Sequence, residues 1–119
     1  MAEFIAVCKL DEIPVGETRQ FKVGGREIAL ARVAGGECYA LGGRCTHLRA
    51  PMGEGTLEGT TLTCPWHGSQ FNVKSGHLVR WVQEPAWMRA LAMLIPPFMR
   101  RSLPSYEVRV EDGQVLVKL

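Results

Sequence analysis

Short apolar segments, alternating with polar positions or rich in β-branched residues, are spaced along this chain between glycine-containing turns. The pattern predicts strands over 4–8, 19–23, 26–33, 38–41, 62–63, 71–73, 107–110 and 114–119. Gly24-Gly25 and Asp112-Gly113 each separate two such runs by two residues, the spacing that closes a hairpin through positive-φ positions. Gly35-Gly36 repeats the device before Cys38. Many short strands at this interval predict an all-β fold, an antiparallel sandwich or barrel.

Two stretches break the pattern. Residues 42–59 hold five glycines and a proline with little periodicity, so they read as a long loop of the kind that carries function. Residues 85–104 hold the only helical signal: Trp87, Leu91, Leu94 and Phe98 fall at i, i+4, i+7 and i+11, and Pro96-Pro97 ends regular helix near Leu94 or Ile95. Apolar side chains occupy more than one face of this segment. Most of it is expected to lie against the sandwich, with an exposed part, flanked by Arg89, Arg100 and Arg101, mediating contacts.

Composition narrows the function. At 119 residues the chain supports one domain, 1–119, and a formal charge of +2 gives no field for nucleic acid or an anionic membrane. The N-terminus has no signal-peptide pattern, and the apolar stretch 87–99 is interrupted by Arg89 and the proline pair, so no transmembrane segment is expected. No internal repeat is present. The expected setting is cytoplasmic, where Cys8 and Cys38 stay reduced as core residues. His77, after Ser75-Gly76, reads as an exposed turn residue, and Trp81 as core.

The chemistry concentrates elsewhere. Cys45-Thr46-His47 is followed, after sixteen residues, by Cys64-Pro65-Trp66-His67-Gly68-Ser69. Two thiolates and two imidazoles suit zinc, iron or copper better than calcium or magnesium. A structural zinc site accepts the same donors, although zinc fingers group cysteines with cysteines and histidines with histidines. Glycines at 42, 43, 53, 55 and 68 let two loops turn tightly enough to converge.

Order, spacing and flanks together resemble the Rieske [2Fe–2S] family, and the likeness covers nearly the whole chain except 85–104. The resemblance implies a sandwich of small antiparallel sheets with a cluster-binding tip, a cluster-binding subdomain at about 42–76, and a short helical insertion at about 85–104 before the C-terminal hairpin. It implies one [2Fe–2S] cluster per chain, with Cys45 and Cys64 on one iron and His47 and His67 on the other. Ser69 keeps a hydroxyl able to donate to sulfur. Trp66, between two ligands, either shields the cluster or gates electron transfer. The family's high-potential branch has a disulfide whose cysteines would fall at Ala50 and Trp66, and a tyrosine where this chain has Phe71. Lacking these donors and any anchor, the chain is similar to the low-potential Rieske-type ferredoxins. That implies a one-electron carrier with no chemistry of its own on a substrate, taking electrons from a flavin-containing reductase and passing them to a terminal oxygenase. Self-association or docking through 85–104 is an added expectation. Rival readings are a Rieske-like small or regulatory subunit, as in assimilatory nitrite reductase, and a zinc-held interaction module.

Overall fold

The computed structural model describes residues 4–44, 51–65, 68–80, 86–94 and 102–119. Ten strands are described: β1 (Phe4–Lys9), β2 (Thr18–Val23), β3 (Arg26–Arg32), β4 (Cys38–Gly42), β5 (Thr56–Glu58), β6 (Thr61–Thr63), β7 (Gln70–Asn72), β8 (Leu78–Arg80), β9 (Ser105–Glu111) and β10 (Gln114–Lys118). One helix, α1 (Ala86–Ala92), lies between β8 and β9. Among the described residues all the strand pairings are antiparallel. The order β1-β10-β9-β4-β3-β2 makes a large sheet and β5-β6-β7-β8 a small one, the all-β architecture expected.

Both two-residue hairpins form where the sequence places them. Val23 pairs with Arg26 across Gly24 (φ +54°) and Gly25 (φ +84°), and Glu111 pairs with Gln114 across Asp112 (φ +51°) and Gly113 (φ +74°). Two successive positive-φ residues match the twist of the flanking strands, and a short Asp or a glycine tolerates that conformation.

β3 explains how the layers stack. Its alternate side chains enter different cores: Ile28 and Leu30 pack with Ile13, Cys38, Ala40, Val115 and Val117, while Ala29 and Ala31 face Leu41, Met52, Leu62, Cys64, Phe71, Val73 and Leu103. The large sheet therefore folds over on itself to bury its first face. It bends at a narrow seam, where β4 and β9 pair only through Ala40–Tyr106 and Leu41–Ser105. The small sheet covers the second face, and alanines there leave room for Phe71 and Leu62 to approach closely. Each fully buried Leu, Ile or Phe contributes about 1.5–3 kcal/mol.

Two expectations are corrected. The segment 42–59 is not wholly loop: Gly42 ends β4, Met52–Glu54 forms a 3₁₀ turn, and Thr56–Glu58 is a strand. A strand of three residues is too short to register as alternation. The second concerns α1, which ends where the proline pair predicts. Trp87, Leu91 and Leu94 are 62%, 56% and 78% exposed, so this stripe is not laid against the sandwich. Both faces of β3 and β4 are already filled. The chain leaves the small sheet at Arg80, the end of edge strand β8, and returns beside that strand. There the Leu78 N–H donates to Ser102 Oγ at 2.9 Å and Leu103 N–H to Gly76 O at 2.8 Å. Among the described residues no helix is long and apolar enough to cross a membrane. Trp81 and Phe98 lie outside the described residues.

Candidate metal centre

The second Cys/His segment sits at the tip of the β6–β7 hairpin. Thr63 and Gln70 form the last ladder rung, and beyond it the Cys64 N–H donates to Ser69 O at 2.7 Å while Gly68 N–H reaches back to Cys64 O at 3.3 Å. Gly68 has φ +77°, which reverses the chain within four residues. Cys64 is buried in the core shared by the two sheets, beside Phe71 and Met52. Ser69 is fully buried, and among the described residues its Oγ has no hydrogen-bond partner.

That orphan hydroxyl tests whether an iron–sulfur group fits. A buried O–H without an acceptor costs about 1–3 kcal/mol, and native cores rarely leave one so. A thiolate or a bridging sulfide next to Cys64 would supply the acceptor. Neither backbone nor side chain supplies it among the described residues. The donor set of thiolates and imidazoles also matches a cluster with sulfur on one iron and nitrogen on the other. The residues fit.

The described residues on either side of the first Cys/His segment, 43–44 and 51–53, come together in a narrow neck. Met52 N–H donates to Gly43 O at 2.9 Å, and Arg44 bridges to Pro51. This neck lies directly on β2 and β3. A Cβ at Gly43 would come within 2.6 Å of Gln20 Nε2, and one at Gly53 would meet the Gln20 backbone, so only glycine allows the approach. Gln20 Nε2 donates to Gly43 O at 2.8 Å, and Gly53 N–H donates to Gln20 Oε1 at 2.7 Å. Thr18 Oγ1 donates to Gly53 O at 2.6 Å. The Arg44 guanidinium forks onto the Glu27 carboxylate at 2.5 and 2.7 Å. Hydrogen bonding from Arg44 holds the Glu27 carboxyl below its usual range, and the same contact raises Arg44.

The neck also sits beside the second hairpin, since Thr56 pairs with Thr63 and Met52 shares a core with Cys64. Of the residues singled out from sequence, Cys64, Ser69 and Phe71 fall together at this junction; Cys45, His47, Ala50, Trp66 and His67 lie outside the described residues. His77 is exposed in its turn, as expected. Cys8 and Cys38 are both thiols, on the opposite core. Burial, with Glu12 and Cys38 adding to it, pushes Cys8 up to about 11, and burial likewise raises Cys38. Thr18, Gln20 and Glu27 carry no signal in a linear reading, because their partners lie 17 to 35 residues away.

The family model described as the Rieske [2Fe–2S] domain matches residues 3–107. The chain is 36% identical over 114 residues to the ferredoxin component of the naphthalene 1,2-dioxygenase/salicylate 5-hydroxylase systems of Ralstonia sp., covering 96% of this chain and 92% of that one. It superposes on a chain from the complex of reduced oxygenase and oxidized ferredoxin in carbazole 1,9a-dioxygenase with a TM-score of 0.72, at 32% identity over 95% of this chain and 99% of the other. The fold recurs in dicamba monooxygenase, with a TM-score of 0.77 at 22% identity over 97% of this chain and 32% of that chain.

Proposed function

Because the chain belongs to the Rieske [2Fe–2S] domain family, we propose that it is a one-electron carrier in which Cys45 and Cys64 hold one iron of the cluster and His47 and His67 the other. The observation that carries this reading is the buried Ser69 hydroxyl, without a partner among the described residues, one rung beyond the β6–β7 ladder and beside Cys64. Bound there, the cluster supplies a reversible one-electron couple, its potential raised above all-cysteine clusters because two imidazoles replace two thiolates.

The chain's own side chains tune that couple. The Ser69 O–H donates to sulfur and favours the reduced, more negative state. Phe71, fully buried in the adjoining core, brings a ring and no hydroxyl, which leaves the centre one donor short of the high-potential branch. The apolar core around Cys64 keeps water from the thiolate side.

The electron donor is a flavin-containing reductase and the acceptor a terminal oxygenase; the names of the relatives support the oxygenase side. The chain works as one domain in the cytoplasm, with 42–76 as the cluster-bearing part, and the reduced thiols of Cys8 and Cys38 accord with that compartment. Contact with the acceptor extends over 85–104, whose Trp87, Leu91 and Leu94 are exposed and follow the small sheet's edge strand in the chain. A Leu91→Asp variant is expected to slow electron delivery to an oxygenase with its spectrum unchanged. Unchanged delivery with altered self-association would reassign the stripe to a second copy.

Electron paramagnetic resonance of the dithionite-reduced protein tests the whole reading. A histidine-ligated [2Fe–2S] signal is expected, lost on substituting His47 or His67 by Ala. Colourless protein carrying zinc defeats it, and a potential in the range of the respiratory complexes defeats the ferredoxin assignment.

A further inference from the structure

Resting on the Rieske reading, we propose that Gln20 and Glu27 are positioning residues, which hold the neck of the first ligand loop from the large sheet and set how firmly, and at what potential, the cluster is bound. The carboxamide of Gln20 spends both of its ends on backbone groups that bracket the loop, accepting from Gly53 N–H and donating to Gly43 O. The same Gly43 carbonyl receives Met52 N–H, so one side chain from β2 ties both strands of the neck. Glue of this kind at the surface would be incidental. Here the two tied residues enclose the segment that carries Cys45 and His47, with Arg44 and Pro51 forming the last bridge before it.

Glu27 acts on the residue immediately before Cys45. Its carboxylate takes both arms of the Arg44 guanidinium, a planar fork that fixes direction as well as distance. Gln20 from β2 and Glu27 from β3 thus hold the neck at consecutive residues, Gly43 and Arg44. Two consequences separate. The clamp holds the ligand loop at its working width before any metal arrives, which lowers the ordering cost of binding. The carboxylate also offsets a cation one residue from a ligand, an effect to which Glu54 adds; losing Glu27 leaves more positive charge there, which favours the reduced cluster and raises the potential.

The two parts are tested by Q20L and E27Q in the cluster-loaded protein, reading the half-life of visible absorbance in excess chelator, the reduced paramagnetic line shape, and the potential. Q20L removes both hydrogen bonds at similar volume and is expected to shorten the half-life about tenfold and broaden the lines. E27Q keeps size and some hydrogen bonding, and is expected to raise the potential with a smaller loss of half-life. If Q20L does not fold, Q20E takes its place, keeping the acceptor for Gly53 and losing the donor to Gly43, with the same fall expected. Variants that keep the half-life, line shape and potential of an unsubstituted protein with a Rieske signal overturn the proposal. An unsubstituted protein without that signal overturns the Rieske reading instead.

Discussion

The two sheets of this protein are built to different standards. Strands in the large sheet run five to seven residues, and β2–β3, β3–β4 and β9–β10 pair over continuous registers of five or six residues, with a core of Ile13, Ile28, Leu30, Val115 and Val117 sealed inside the fold. Strands in the small sheet run three residues each, and β7 and β8 share only two register pairs, with a shift between them. Its core is not its own: Ala29, Ala31, Val33 and Leu41 belong to the large sheet or its edge. Three-residue strands cannot hold a hairpin in water unaided. The part of the molecule proposed to bind iron is therefore the part least able to stand alone; it draws order from the large sheet beneath it and, on that proposal, from the metal.

Substitutions in the two cores are expected to split this pair most widely. Phe71→Ala empties a fully buried site between the sheets and is expected to cost about 3–5 kcal/mol, with cluster loss alongside the fall in melting temperature. Leu30→Ala, equally buried but in the other core, is expected to cost about 2–5 kcal/mol and leave the reduced spectrum unaltered in the folded fraction. Equal spectral damage from both would erase the distinction.

Stripping the iron sharpens it further. Hydrogen exchange of the apoprotein is expected to show β6 and β7 amides speeding up by about two orders of magnitude while β3 and β10 keep their protection. Uniform loss in both sheets would mean that the fold opens as one unit.

A smaller effect, with opposite signs in the two forms, is expected at Ser69. Ser69→Ala removes a hydroxyl that has no partner among the described residues, so the apoprotein is expected to melt at the same temperature or gain up to about 1 kcal/mol. In the loaded protein the same change is expected to lower the potential. A fall in apoprotein stability would show that the hydroxyl has a protein acceptor.

The smallest effect belongs to the large sheet alone. Cys8 titrates at about 11 in the fold against 9.0 unperturbed, so the unfolded chain loses this proton first as pH rises. Its contribution to stability is complete below pH 9 and disappears as pH climbs towards 11. Urea unfolding of C8A and the unsubstituted protein is expected to converge over that window, with cluster absorbance indifferent to the substitution.

What could be read from the chain follows from how local each feature is. The hairpins at Gly24-Gly25 and Asp112-Gly113 are written in adjacent residues, and the Cys64 to Ser69 segment in six, so pattern sufficed. Alternation alone missed the strand Thr56–Glu58, because it exists through pairing with Thr61–Thr63. For α1 the period and end point were legible, but its environment was not: the same apolar stripe serves a buried or an exposed face, and only the already filled faces of β3 and β4 decide between them. The ties from Thr18, Gln20 and Glu27 to the ligand neck join positions that only folding brings together.

The detour that carries α1 is stitched shut at its base, through Leu78 to Ser102 and Gly76 to Leu103, with Pro104 O then accepting from Gly42 N–H. Such a base works like a socket. Longer, shorter or foreign inserts plugged between Arg80 and Ser102 need not strain the β6–β7 hairpin, so the proposed partner surface can drift or be engineered there independently of the proposed cluster site.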